Sequence, residues 1–255
     1  MILFDESSDT YHDNPAIGSG NIRDFLKSPK LFRGNMDGLW KRTSSKALEL
    51  GSLAHLYFLE GEKFQSQVEM VPDGLDRRTK EGKAWAEAKA GKTLIKQEDW
   101  QTIEQMAASC PPSVYNLLAN GKSEVTVRAR MEGLDCQCRF DNWNGYTNTI
   151  IDLKTTKDID TIGQSVWNYG YHIQQEWYQR LALCETGKQH TFTFIFVETE
   201  PPYRWRIVTL ADDLTRIAEA KVSKALTGIK ERMASGDWTD SLIQQTITAP
   251  AWAKE

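Results

Sequence analysis

The stretch TIIDLKTT, Thr149–Thr156, decides the fold. Its apolar, β-branched opening predicts a strand bound for burial, yet it runs into an acid and then, one residue later, a lysine. Strand side chains alternate faces, so Asp152 and Lys154 share one face and Leu153 takes the other. A solvated ion pair is worth little and needs no such strand. The sharper reading is a carboxylate that holds a metal, with a lysine beside it that stabilises charge. An acid followed two positions later by lysine also occurs at Glu81/Lys83, Glu87/Lys89 and Glu219/Lys221, all in helical patterns. Asp152 is the one that ends an apolar strand run.

The flanking sequence adds weight. SEVTVRARM (123–131) alternates polar and apolar residues, and LDCQCRFDNW (134–143) reads as a second strand. Trp143-Asn144-Gly145-Tyr146 then separates it from TNTIIDLKTT, and Asn-Gly is a strong hairpin signal because both residues tolerate positive φ. Trp143 and Tyr146 at the tip either contact a ligand or pack. The hairpin brings Asp141 near Asp152, and two carboxylates brought together repel unless a cation neutralises them. Hard oxygen ligands favour Mg²⁺ or Mn²⁺ over zinc. Glu124 adds a third carboxylate from the preceding strand. His55, in GSLAH, lies on an upstream helix whose small residues allow close approach to the sheet.

Outward from this centre, residues 1–18 read as irregular. A helix is predicted from Ser19 or Gly20, broken near Pro29, and another over SSKALELGSLAHLYFLEGEKF (44–64). A charged helix starts near Thr79, and a further one covers 97–119 with a break at Pro111-Pro112. After the three strands come a long helix over about 163–185, the strands TFTFIFVETE and YRWRIVTL, and a last helix over about 212–233. The expected architecture is α/β, a mixed central sheet flanked by helices. Residues 1–255 are expected to form one domain, with a mainly helical part to about 119, a core over 120–235 and a tail over 236–255.

The bulk numbers exclude several classes. With 255 residues, 40% hydrophobic, the chain is long enough for a sizeable core. No run of about 18 apolar residues suggests a membrane span, and the acidic start MILFDESSDTYHDNP lacks the pattern of a signal peptide, so a cytoplasmic location is expected. Cys110, Cys136, Cys138 and Cys184 are expected as free thiols, without zinc or iron–sulfur spacing. Gly91-Lys92-Thr93 ends like a phosphate-binding loop but lacks the first glycine and the preceding strand, so no ATP hydrolysis is expected. The net charge of −4 does not advertise a nucleic-acid binder, but local basic residues can still build a groove. Arg77, Arg78, Lys80 and Lys83 form one such group; Lys27, Ser28 and Arg33, near the first helix break, form a candidate site for a terminal phosphate.

Asp141 followed by Asp152-Leu153-Lys154 after a hairpin resembles the PD-(D/E)XK nucleases. Gln174-Gln-Glu-Trp-Tyr178 resembles the Gln-x-x-x-Tyr motif of their RecB-like branch, and His55 resembles that branch's upstream metal-binding histidine. More closely, YHDNPAIGSGNIRDFLKSPKLF, KALELGSLAHLYFLE, DRRTKEGKAW, NYGYHIQQEWY and VETEPPY are similar to RecE-type exonucleases. Phe140 stands where many relatives have a proline, a frequent variation.

This resemblance implies a restriction-endonuclease-like core and Mg²⁺-dependent digestion of linear double-stranded DNA from its 5′ ends, with Mn²⁺ as a substitute. The 3′ single-stranded tails would feed recombination by annealing. It also implies a ring-like homo-oligomer and a RecT-type annealing partner. His55, Asp141, Asp152 and the Leu153 carbonyl would hold metal. Lys154 would position the attacking water, Glu124 would assist directly or through water, and Gln174 and Tyr178 would orient the site or touch the DNA backbone. The alternatives are an endonuclease or repair nuclease with the same centre, and a non-catalytic DNA-binding scaffold.

Overall fold

The computed structural model describes residues 1–40, 45–242, 244 and 246. It begins with strand β1 (Ile2–Leu3) and helices α1 (Ser8–Asp13), α2 (Ser19–Lys27), α3 (Pro29–Met36), α4 (Lys46–Leu59) and α5 (Gly61–Gln67). Then come β2 (Val68–Met70), α6 (Lys80–Ala88), β3 (Thr93–Ile95), α7 (Gln97–Ala108) and α8 (Pro112–Ala119). The remainder is β4 (Lys122–Met131), β5 (Leu134–Asn144), β6 (Thr149–Thr156), α9 (Ile162–Asn168), α10 (Tyr171–Thr186), β7 (Thr191–Glu198), β8 (Trp205–Val208) and α11 (Asp212–Ser235).

The main sheet has the order β1-β4-β5-β6-β7-β8. All its neighbours run antiparallel except β6 and β7, which are parallel because α9 and α10 carry the chain between them. Alternation along the strands gives each face its own core. Ile150, Phe192, Phe194 and Phe196 pack with Ile22, Trp177 and Leu226 from α2, α10 and α11. Ile151, Leu153, Ile195 and Val197 pack on the other side with Leu53, Ile103, Met106 and Val114 from α4, α7 and α8. The mixed α/β sheet flanked by helices is the architecture the pattern predicts.

Four local expectations change. Residues 1–18 are not wholly irregular: β1 extends the sheet beside β4, and Ser7 caps α1 by accepting from the Thr10 amide. A separate parallel pair, β2 with β3, forms from segments in which no strand is predicted. Asn-Gly does not form a two-residue turn. Asn144 stays in β5, its side-chain oxygen accepts from the amides of Tyr146 and Thr147, and Asn148 takes the positive φ of 51°. The predicted helix over 163–185 is two helices, because Gly170 adopts φ 68° between α9 and α10. At the ends of other expectations, Ser44 lies outside the described residues while Ser45 caps α4 through the Leu48 amide. Of the 236–255 tail, Trp238 stacks on Phe32, and 243, 245 and 247–255 lie outside the described residues.

The break at Gly170 sets where α10 starts and hence where Gln174 points. A Cβ at Gly170 would meet Arg23 Cδ at 2.7 Å, which the arginine can relieve by moving, but the left-handed φ cannot be relieved without moving the helix. Gly170→Ala should therefore cost about 1–2 kcal/mol, read as a lower urea midpoint at constant slope. An unchanged midpoint would show that the left-handed turn is not a constraint.

Candidate active site

Between Asn142↔Ile151 and the hairpin turn, β5 and β6 form an ordinary ladder. The next opposed pair would be Asp141 and Asp152, and there the ladder ends. Leu153 would ordinarily have its amide and carbonyl served by the backbone of β5. Instead the Asp141 carboxylate accepts from the Leu153 amide at 2.7 Å, and His55 Nε2 lies 2.8 Å from the Leu153 carbonyl. A carbonyl only accepts, so Nε2 carries the proton, and Nδ1 is left as a lone pair 3.6 Å from Asp141 Oδ2. Ligating histidines are commonly oriented by such a carbonyl on their other nitrogen.

α4 can bring His55 this close because its facing residues are small. A Cβ on Gly51 would sit 3.3 Å from Thr155 Oγ1, and Ala54 is fully buried. From β4, Glu124 stands opposite Asp141, where the β4–β5 ladder skips a pair between Ser123↔Asn142 and Val125↔Phe140. Glu124 holds φ 55°, an uncommon conformation for a non-glycine residue and one found at sites where a side chain must be aimed. His55, Glu124 and Asp141 each offer one ligand atom, all within 4.8 Å of one another.

On the other side of β6, Asp152 is fully buried. It accepts from Gln174 Nε2 at 2.6 Å and pairs with the Lys154 ammonium, which also lies 5.0 Å from the Tyr171 ring centre. The shared face of Asp152 and Lys154 is as predicted.

The electrostatics of this centre describe a site short of positive charge. Burial pushes Asp141 well above the usual carboxyl range, and the Asp152 charge adds to it. Burial also lifts Glu124, with help from Asp141 and against the nearby Arg139, to about 7. Burial by itself would lower Lys154, but Asp152 and Asp141 outweigh it and hold the ammonium above its ordinary value. Burial and the Lys154 charge keep His55 below its ordinary value, so it is a neutral imidazole at neutral pH. One nitrogen and two carboxyls, both driven toward protonation when nothing cationic faces them, suit a hard or borderline divalent cation. His55 and Glu124, with side chains 29% and 18% exposed, leave the cluster open to a substrate.

The residues singled out in the sequence divide accordingly. His55, Glu124 and Asp141 converge, while Asp152 lies outside that trio, held by Lys154 and Gln174. The Leu153 carbonyl is engaged by His55. Gln174 orients Asp152, but Tyr178, one turn on, is buried between Phe140 and Phe192 and does not present itself to a DNA backbone. Trp143 packs on Phe4 and Phe140, and Tyr146 is fully exposed. The Ser28 hydroxyl donates to Asp240, and Arg33 pairs with Asp37 and lies 5.8 Å from the Trp238 ring centre, so both are engaged by the chain's own groups rather than open to a phosphate. Lys27 sits in the last turn of α2. Arg78 pairs with Asp76, whereas Arg77 lines a groove with Ser52 and Leu53, one turn before His55. Lys80 and Lys83 stand on the first turn of α6.

Two neighbours escaped the sequence reading. Arg139 pairs with Glu124 at 2.6 Å; its place two residues before Asp141 was the available signal. Tyr171 lies three residues before Gln174, on the same face of the helix.

The family described as a PDDEXK-like domain of unknown function (DUF3799) matches residues 18–242. Among solved structures, a protein from Eubacterium rectale, provisionally named an exonuclease, aligns with a TM-score of 0.65 over 96% of this chain and 97% of its own, at 18% identity. That likeness is one of fold. A phage-related exonuclease from Haemophilus somnus 129PT gives 0.34 over 79% of this chain and 100% of its own, at 14% identity, too low to carry an argument. No curated protein sequence matches the chain significantly.

With Glu124 near 7 and Asp141 pushed up by burial, a cation must displace protons. Its affinity should therefore be weakest at low pH and climb as the pH rises through Glu124's value, by about tenfold per pH unit for each proton released. Calorimetry of Mn²⁺ binding in buffers of different ionisation heat counts those protons. Glu124→Gln should release about one fewer; an unchanged proton count would remove Glu124 from the site.

Proposed function

The chain belongs to the PDDEXK-like family DUF3799, and on that premise we propose that it is a metal-dependent DNA exonuclease that digests linear duplex from its 5′ ends. The observation that carries the reading is the placement of the His55, Glu124 and Asp141 trio against the Asp152–Lys154 pair across one gap in the sheet. Helical residues before 119 and the sheet core after 120 act as one catalytic unit, since each supplies part of that trio. His55, Glu124 and Asp141 would hold Mg²⁺ or Mn²⁺, with Asp152 at the rim. Bound there, the cation would supply a water of lowered pKa and offset charge on a phosphate oxygen.

The chain's own groups do the rest. Lys154, held above its ordinary pKa, stays an ammonium and so is not the base; it donates hydrogen bonds to the attacking water and to the phosphate as charge develops. Asp152 fixes where that ammonium sits, and Gln174 fixes Asp152. Arg139 steadies the Glu124 carboxylate. Arg77, Lys80, Lys83 and Lys27 contribute to holding duplex, arranged around a channel if subunits assemble as a ring. The 3′ tails so produced suit a RecE-type role in the cytoplasm, with a RecT-type annealing protein as partner.

Asp152→Ala and Lys154→Ala should each lower Mg²⁺-dependent hydrolysis by about 10²- to 10³-fold. End-labelled linear duplex should disappear from its 5′ ends while covalently closed circles persist. Cutting of circles would favour the endonuclease reading, and full activity in Asp152→Ala would overturn the assigned centre.

Duplex affinity in Ca²⁺ should lose about 0.9 of its log–log salt slope in Arg77→Ala and little in Arg78→Ala, whose charge Asp76 already engages. Equal slopes for Arg77→Ala and the parent would place Arg77 away from DNA.

A further inference from the structure

Beside Lys154 the chain carries an aromatic surface that hydrolysis does not use. The link from α9 to α10 reads Trp167-Asn168-Tyr169-Gly170-Tyr171. Tyr171 touches Lys154, the Tyr169 ring lies 5.8 Å from that of Tyr171, and Tyr169 and Trp167 are 59% and 50% exposed. Large rings left this open to water next to a reactive centre mark a binding surface.

These rings are held, not loose. Gly170 fixes the turn, and Arg23 donates to the Tyr169 carbonyl. The Trp167 indole lies flat against buried His172, with centroids 5.1 Å apart and planes 7° apart. Lys221 Nζ sits 4.1 Å from the indole centre and 3.2 Å from His172 Nε2. His172 Nδ1 donates to the Val166 carbonyl, so Nε2 is the lone pair that accepts from Lys221. Because His172 and Lys221 touch each other, both cover the same face of the indole, while half of Trp167 stays open to solvent. Among the described residues no carboxylate pairs with Lys221.

A rigid indole face backed by a cation, a second exposed ring nearby and an arginine and two lysines around them match the chemistry of a nucleotide strand. Every base has a π-face that stacks without sequence preference, and its phosphates complement the cations. An apolar protein partner would have no use for that charge. We propose that Trp167 and Tyr169 form a stacking platform for unpaired bases of single-stranded DNA, with Lys221 and Arg23 supplying positive charge. The proposal rests on the nuclease reading for its purpose, which is to receive a strand beside Lys154, but the binding itself needs no metal.

The test is fluorescence anisotropy of the full chain with a labelled oligodeoxythymidylate of roughly ten nucleotides, in EDTA. Trp167→Leu, which keeps an apolar side chain without a π-face, and Tyr169→Leu should each weaken binding roughly tenfold, while Trp167→Phe should retain most of it. Circular dichroism of each variant confirms folding, and the Phe-against-Leu contrast keeps the test decisive if one variant is less stable. Unchanged affinity in both Leu variants, equal loss in Phe and Leu, or no binding by the parent would overturn the platform. Failure of the nuclease reading would appear separately, as a parent that leaves duplex intact with Mg²⁺ and Mn²⁺.

Discussion

The β5–β6 ladder stops where Asp141 and Asp152, two carboxylates that disfavour each other's charge, would come opposite. The backbone groups of Leu153 would be orphaned by the parting, which is costly in a buried strand. They are recovered by side chains, Asp141 on the amide and His55 on the carbonyl. The same two hydrogen bonds that repair the sheet therefore fix the geometry of the proposed centre. A structural role and a chemical one reside in the same atoms, so neither residue can be exchanged without disturbing both.

The gap is furnished from both faces of the sheet. α4 packs with the Ile151 and Leu153 side and delivers His55. α10 packs with the Ile150 side and delivers Gln174 and Tyr171. β4 delivers Glu124 along the sheet itself, at a residue whose backbone leaves the extended region. Each helix is anchored by an apolar face of its own, Leu53 and Ala54 in one case and Ile173, Trp177 and Leu181 in the other. The polar groups at the centre are thus positioned by packing that does not depend on them, which is what a preorganised site requires.

The acidity of the chain as a whole is not at odds with a polyanionic substrate. Several exposed cations are consumed by nearby acids: Arg78 by Asp76, Arg33 by Asp37, and Lys89 and Lys92 by Glu69. Lys221 and Arg77, which pair with no carboxylate among the described residues, and Lys154 at the centre matter more than the net value of −4, because screening confines their influence to about 10 Å.

Much of this was legible in order along the chain. The alternation in Thr149–Thr156 settled the strand, the shared face of Asp152 and Lys154 and the opposite face of Leu153, since a period of two is a property of the backbone. The family resemblance picked out His55 and Gln174. What the sequence could not show was how these groups divide. That Asp152 is claimed by Lys154 and Gln174, while Glu124 joins His55 and Asp141, depends on where the two ladders are interrupted, and interruption is decided between strands rather than within one. Ser28 and Arg33 looked open to a phosphate because Asp240 and Trp238, more than two hundred residues away, meet them only in the folded chain. The Trp167 platform was invisible because a helix pattern across 163–185 hides the turn at Gly170. Local sequence determined the central strands, most helices and the faces they present; the tertiary structure decided which charges at the centre share a partner, because those neighbours are set by packing between distant segments.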